Sequence, residues 1–221
     1  LRSTSSFEDG TFQGFLPAAE RLRGERDERL QETSGIIPYG ISFLDEALSG
    51  IAQTDVIVLG AKTGAGKTGL ATNIALNATS IGKNVHYFAL EAEDREIERR
   101  VKYAMVSDAY YSDDNRAPKG KFAINYNNWR KGRIDDILFP YEKRIEDAVN
   151  KNLKGLTTLY RNSGDFNLKA LEKNLLKIVA DSNLIIIDHL HYIDTGEDEN
   201  AEYKQVIKIV RDTALKYRVP I

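Results

Sequence analysis

The sequence predicts an α/β fold with a mainly parallel sheet flanked by helices. Short unbroken aliphatic runs recur along the 221 residues, as in strands buried on both faces. Between them lie segments whose apolar residues fall at helical spacing. The two patterns alternate, which is the order of parallel strands joined by right-handed crossovers.

Composition narrows the class. Hydrophobic residues make up 42% and charged residues 29%, enough apolar surface for a core and unlike a disordered chain. No apolar run reaches the roughly 18 residues of a membrane span, and the start has no signal-peptide pattern, so no membrane association is expected. Cysteine is absent, which excludes disulfides and thiolate metal sites and fits a cytoplasmic protein. The net charge of −2 offers no chain-wide attraction to nucleic acid, although a local basic patch stays open. The chain begins at Leu1 and stops at Val219-Pro220-Ile221, where an apolar strand begins. Both ends predict a piece of a longer protein.

In chain order, residues 1–14 are polar and predict a flexible tail. Residues 16–31 suit one helix with Pro17 in its first turn. Its apolar stripe of Leu16, Ala19, Leu22 and Leu30 is thin, so it is either a solvated extension or a linker helix that docks on a neighbouring subunit. Ser42 is placed to cap a short helix that Gly50 ends. Residues 56–59 form an aliphatic strand, expected to be covered on both faces. A helix is expected over 67–81, with Leu70, Ile74 and Ala78 on one side, then a turn at Gly82 and a strand over 85–90. A charged helix follows over 94–106, and residues 107–133 are expected to be irregular. Helix is expected over 141–149, strand over 156–160, and helix over 168–179. Strand is expected over 184–188. The last helix, over 202–217, carries Val206, Ile209, Val210, Thr213 and Leu215 inward.

The chemistry concentrates at Ala61-Lys62-Thr63-Gly64-Ala65-Gly66-Lys67-Thr68. This is a phosphate-binding loop for ATP or GTP. Small residues let backbone N–H groups converge on phosphates, and the helix that follows adds its positive end. Lys67 is placed to reach the outer phosphates and Thr68 to hold Mg²⁺. Ala61 stands where the pattern G-x-x-x-x-G-K-[ST] has its first glycine. A carboxylate on a buried strand must complete the Mg²⁺ site. Asp188, after four aliphatics, fits this, and a turn-capping aspartate is the plainer alternative. Glu91, ending the strand over 85–90, is a candidate base; with Glu93 and Asp94 it would otherwise favour the next helix N-terminus. His189 and His191 would share a face, but a metal site needs a third ligand. Arg130, Lys131 and Arg133 lie near Trp129 and Tyr126. They form either a single-strand binding cluster or a surface helix with one buried anchor.

Together these residues resemble a known family. Gly40, Leu44, Asp45 and Gly50, then a strand and the phosphate loop, are similar to the RecA-like ATPase core. Phe88-Ala89-Leu90-Glu91 and Leu184-Ile185-Ile186-Ile187-Asp188-His189-Leu190 resemble the corresponding strands of DnaB-type replicative helicases. The family usually has an aromatic after that aspartate. The resemblance covers 34–221 and implies a RecA-like P-loop NTPase, with 1–33 as tail and linker helix. It further implies ATP and Mg²⁺ as ligands, Lys67 and Thr68 on the nucleotide and its metal, Asp188 supporting Mg²⁺, and Glu91 activating water. As partners it implies single-stranded DNA and further copies in a ring, a hexamer by family precedent. Residues 1–221 contain no counterpart of the family's N-terminal helical domain. The strand expected to carry a sensor glutamine and an arginine finger would follow Ile221. The chain by itself is therefore expected to hydrolyse slowly. The acidic stretch 194–200 stands where the helicases touch DNA and would repel phosphates. It leaves open a RecA-like regulatory or helicase-loading ATPase.

Overall fold

The computed structural model describes residues 17–118, 120–161, 166–193 and 199–221. The expected tail over 1–14 and most of the acidic stretch 194–200 lie outside them. The chain divides into two compact units, residues 1–36 and 37–221.

In the first unit the single helix expected over 16–31 is two: α1 (Ala18–Arg21) and α2 (Glu25–Ser34). Gly24, at φ 83°, interrupts them. Glycine accepts this left-handed conformation without the penalty a side chain would bring. Leu22 and Leu30 are exposed at 65% and 58%, so this unit's helices leave their apolar positions open.

The second unit begins with α3 (Ser42–Leu48). Ser42 is its first residue and not its cap, which is Ile41. Asp45 instead ties down the chain ahead of the helix, accepting from Tyr39 N at 2.6 Å and Gly40 N at 3.1 Å. Gly40 sits at φ 76° against Asn77, where a Cβ would meet the side chain at 2.6 Å. Asn77 in turn donates to Pro38 O at 2.7 Å. The pattern Gly40, Leu44, Asp45 thus packs this segment against α4 (Lys67–Ser80), the helix after the phosphate loop.

Next come β1 (Val85–Ala89), α5 (Glu96–Tyr111), α6 (Tyr126–Arg130), α7 (Asp135–Arg144), α8 (Glu146–Lys154) and β2 (Leu156–Tyr160). Then follow α9 (Leu168–Ile178), β3 (Leu184–Asp188) and α10 (Glu199–Tyr217). Two regions expected to be irregular are helical. α5 continues through Tyr111, and Asn125 caps α6 by accepting from Asn128 N. Their shared core, with Val106, Tyr110, Ile134, Leu138 and Tyr141, is assembled from distant segments. In α10, Ala214 is buried where Leu215, 49% exposed, was expected.

β1 lies between β2 and β3, parallel to both. Backbone bonds extend the sheet beyond β3. Ile185 N donates to Pro220 O at 3.0 Å, Ile57 N to Ile221 O at 2.9 Å, and Ile221 N to Asp55 O at 3.0 Å. The last two bonds have the staggered pattern of parallel pairing. Residues 219–221 therefore lie between β3 and the segment leading into the phosphate loop. That segment, expected to be a covered strand over 56–59, is extended but open. Ile57, Val58 and Leu59 are 38%, 69% and 43% exposed. The strand ending in Glu91 adjoins Asp188's strand and not the phosphate-loop segment. One core packs α9 and α10 on one face of the sheet, through Phe88, Leu175, Ile185 and Val210. Another packs α4 and the 37–51 segment on the other, through Tyr87, Ala75, Ala78 and Ile51.

Candidate nucleotide site

The phosphate loop takes its shape from its glycines. Gly64 and Gly66 lie at φ 81° and 97°, conformations that L side chains rarely adopt. Gly66 is the N-cap of α4, with Leu70 N donating to its carbonyl at 2.9 Å. Ala65 N donates to Lys62 O at 3.1 Å, closing the turn. Thr63 lies within that turn. Ala61 is not among the positive-φ residues, so nothing at this position demands glycine. Its carbonyl accepts from Lys67 Nζ at 3.0 Å, and that of Lys62 at 3.4 Å. Any residue supplies such a carbonyl, which is why alanine serves at Ala61. The lysine ammonium is thereby held over the loop beside the α4 N-terminus, where the helix dipole adds to its field.

The second element of the site is Asp188, at the end of β3 and 8% exposed. Its Oδ2 accepts from Tyr87 Oη at 2.8 Å. Burial, and next the charge of Asp188, push the Tyr87 phenol far up, so it stays a proton donor. The Thr72 hydroxyl donates to Thr68 O at 2.7 Å, one turn into α4.

Glu91 lies just past the paired end of β1, where Ala89 is in register with Asp188 and Leu90 N donates to Asp188 O at 2.8 Å. Its carboxylate is about half exposed and lies 2.9 Å from His189 Nε2. Lys67, Thr68, Asp188 and Glu91 thus come from α4 and from the C-terminal ends of adjacent strands, where ligands bind in open α/β sheets. At those ends Asp188 is buried and Glu91 is half exposed.

The other candidates are occupied by structural contacts. His191 shares a 2.7 Å hydrogen bond with Tyr203, and no group of three His, Cys, Asp or Glu able to hold a metal occurs among the described residues. Trp129 is half-buried and donates to Glu142 at 2.6 Å. Arg130 pairs with Glu93 at 2.9 Å, and Tyr126 donates to Glu96 at 2.8 Å. Arg133 lies over Phe122. These contacts fasten α6 to its neighbours, and Trp129 is only half-buried where the plainer expectation had one buried anchor.

Sequence reasoning missed Tyr87 and the pairing of His189 with Glu91. A signal for Tyr87 existed. It stands two residues before Ala89, so it shares the sheet face of the residue opposite Asp188. Using it required the register of β1 on β3.

The fold and site define a RecA-like ATPase domain of the kind found in helicases. Two solved structures are similar to it. One is the ATPase domain of G40P, with TM-score 0.69 and 16% identity over 93% of this chain and 70% of that one. The other is a DnaB-like replicative helicase described with its interactions with primase, at TM-score 0.67 and 16% identity, covering 94% and 48%. Residues 36–221 match the DnaB-like helicase C terminal domain, and the chain belongs to that family. Among named relatives, the replicative DNA helicase DnaB of Geobacillus stearothermophilus is 39% identical over 192 residues. The match takes in 84% of this chain and 38% of that protein's length. The DnaB of Helicobacter pylori is 21% identical over 96% of this chain and 42% of its own length.

Proposed function

We propose that this chain is the ATP-binding and hydrolysing motor of a DnaB-like replicative DNA helicase, coupling hydrolysis to movement on single-stranded DNA in the cytoplasm. Residues 34–221 carry the motor, and residues 1–33 are a tail and a linker, helical in two pieces, that docks on the next subunit of a ring, a hexamer in the assembled protein. The observation that carries this reading is the phosphate loop closing on Lys67 at the start of α4, together with the buried Asp188 held by Tyr87, within the residues that match the family.

The donor set suits Mg²⁺, a hard cation that takes oxygen ligands and keeps several waters. Thr68 supplies a hydroxyl and Asp188 a buried carboxylate oriented by Tyr87. Bound there, Mg²⁺ would neutralise charge on the β- and γ-phosphates of ATP. The residues of the chain do the rest. The backbone from Gly64 to Gly66 and the start of α4 cradle the phosphates. Lys67 trades its loop carbonyls, those of Ala61 and Lys62, for phosphate oxygens. Glu91 accepts the proton of the attacking water, a role that contributes about 10²–10⁴-fold in rate.

The test is ATP hydrolysis by the assembled ring with and without single-stranded DNA, together with unwinding of a forked duplex. The reading expects DNA-stimulated turnover and unwinding, both lost in Lys67→Ala. Turnover indifferent to DNA, with no unwinding, would instead favour a regulatory or helicase-loading ATPase and overturn it.

A further inference from the structure

The carboxylate of Glu91 is held by a partner that is itself fixed. Glu91 Oε2 lies 2.9 Å from His189 Nε2, and the histidine side chain is 27% exposed against 51% for the glutamate. Two rings pack against the imidazole. His189 stands edge-on to His191 at 5.2 Å between centroids, and to Tyr192 at 5.1 Å. His191 is in turn bonded to Tyr203 of α10 at 2.7 Å. A glutamate has two acceptor oxygens on a rotatable stem, and a donor locked by packing selects one of its orientations. An isolated surface pair would contribute little. This pair differs because one member is braced and the other stands beside Asp188, at the ends of paired strands.

We propose that His189 is a positioning residue for Glu91: its Nε2–H holds Oε2 and leaves Oε1 aimed at the attacking water. The inference rests on the reading of Glu91 as the base. A neutral imidazole protonated on Nε2 suffices, so no change of charge is involved. His189 acts through Glu91 and not on the nucleotide. Its loss loosens the base without weakening nucleotide binding, so kcat falls and KM holds. Misplacing a reacting group by an ångström costs up to about 100-fold, and the expected fall is about 10–100-fold.

Two measurements test this, one by NMR on the whole chain and one by hydrolysis in the assembled ring. Three histidines, His86, His189 and His191, make ¹⁵N-imidazole NMR tractable. His189 is expected to be protonated on Nε2, with a proton protected from exchange. Glu91→Gln shifts that signal and leaves His86 unmoved; a His189 signal indifferent to Glu91→Gln overturns the proposal. In single-turnover ATP hydrolysis by the assembled ring, His189→Phe keeps a ring but removes the donor, and His189→Gln restores a donor. The expectation is loss with Phe, recovery of most of the rate with Gln, and no further loss when His189→Phe is added to Glu91→Gln. Wild-type turnover in His189→Phe, or a loss that Gln does not rescue, overturns it. If Glu91→Gln itself turns over normally, the assignment of the base fails, and the NMR result still tells whether the pair forms.

Discussion

Replacing Tyr87 with phenylalanine isolates the contact on which the site's construction depends. The substitution removes one oxygen and keeps the ring, so the buried packing of Tyr87, 0% exposed, is unchanged. What is lost is the donor to Asp188 at 2.8 Å. Thr72 keeps the Thr68 carbonyl as its partner, so no second group is stranded. Hydrogen bonds to charged groups contribute about 1.5–3 kcal/mol, and Asp188 is too buried for water to replace the donor fully. The expected loss of stability is about 1.5–3 kcal/mol. With a urea m-value of about 2 kcal/mol/M, the unfolding midpoint falls by about 1 M, followed by the fluorescence of the single tryptophan. A double-mutant cycle with Asp188→Asn should return a coupling of about 1 kcal/mol or more. Support of a metal-binding carboxylate is commonly worth about 10–100-fold in affinity, and Mg²⁺-dependent ATP binding should weaken to that extent by calorimetry. An unchanged midpoint, or additive losses in the cycle, would refute the reasoning.

Three further outcomes follow from the packing and the titrating groups. Gly40→Ala places a Cβ against Asn77 at φ 76°. The left-handed backbone alone costs about 1–2 kcal/mol, so a lower urea midpoint is expected, and wild-type stability would contradict the docking of the 37–51 segment. Burial holds the His86 imidazole below its ordinary value of 6.5, beside Ser182 at 2.8 Å. A depressed pKa gives stability that is present above the unfolded value and lost on acidification. Urea midpoints should therefore fall below about pH 6.5, less so in His86→Phe. At the other end, burial and the hydrogen bond to Glu96 push the Tyr126 phenol up to about 12, and Tyr87 is pushed up further by burial. A raised pKa gives stability that is complete below the unfolded value of 10.0 and lost as pH rises through the folded one. Midpoints should decline above about pH 10, and a flat alkaline limb would contradict these burials.

Local patterns were legible where one residue's neighbours along the chain decide its state. The strand over 184–188 is a run of aliphatics, and α9 repeats its apolar residues at the helical period; both lie where expected. The phosphate loop was legible because its backbone demands glycine at Gly64 and Gly66. Long-range arrangement was not. The openness of residues 57–59 depends on what covers the sheet, and their aliphatic composition does not say. The core joining Val106 to Tyr141 hides in a stretch rich in Tyr, Asn and Asp, whose composition suggests loops although capping at Asn125 starts a helix. The break at Gly24 turns on one φ angle. Asp188 could be named from its strand, but its partner Tyr87 is 101 residues away, and only the parallel register brings them together.

The central claim is that Lys67, Thr68, Asp188 and Glu91 form one ATP-hydrolysing site. Single-turnover hydrolysis of Mg²⁺-ATP by Glu91→Gln, with the nucleotide Kd measured on the same sample, tests it most directly. The account predicts a Kd close to wild type and a hydrolysis rate lower by about 10²–10⁴-fold. Hydrolysis at the wild-type rate with intact binding would contradict it.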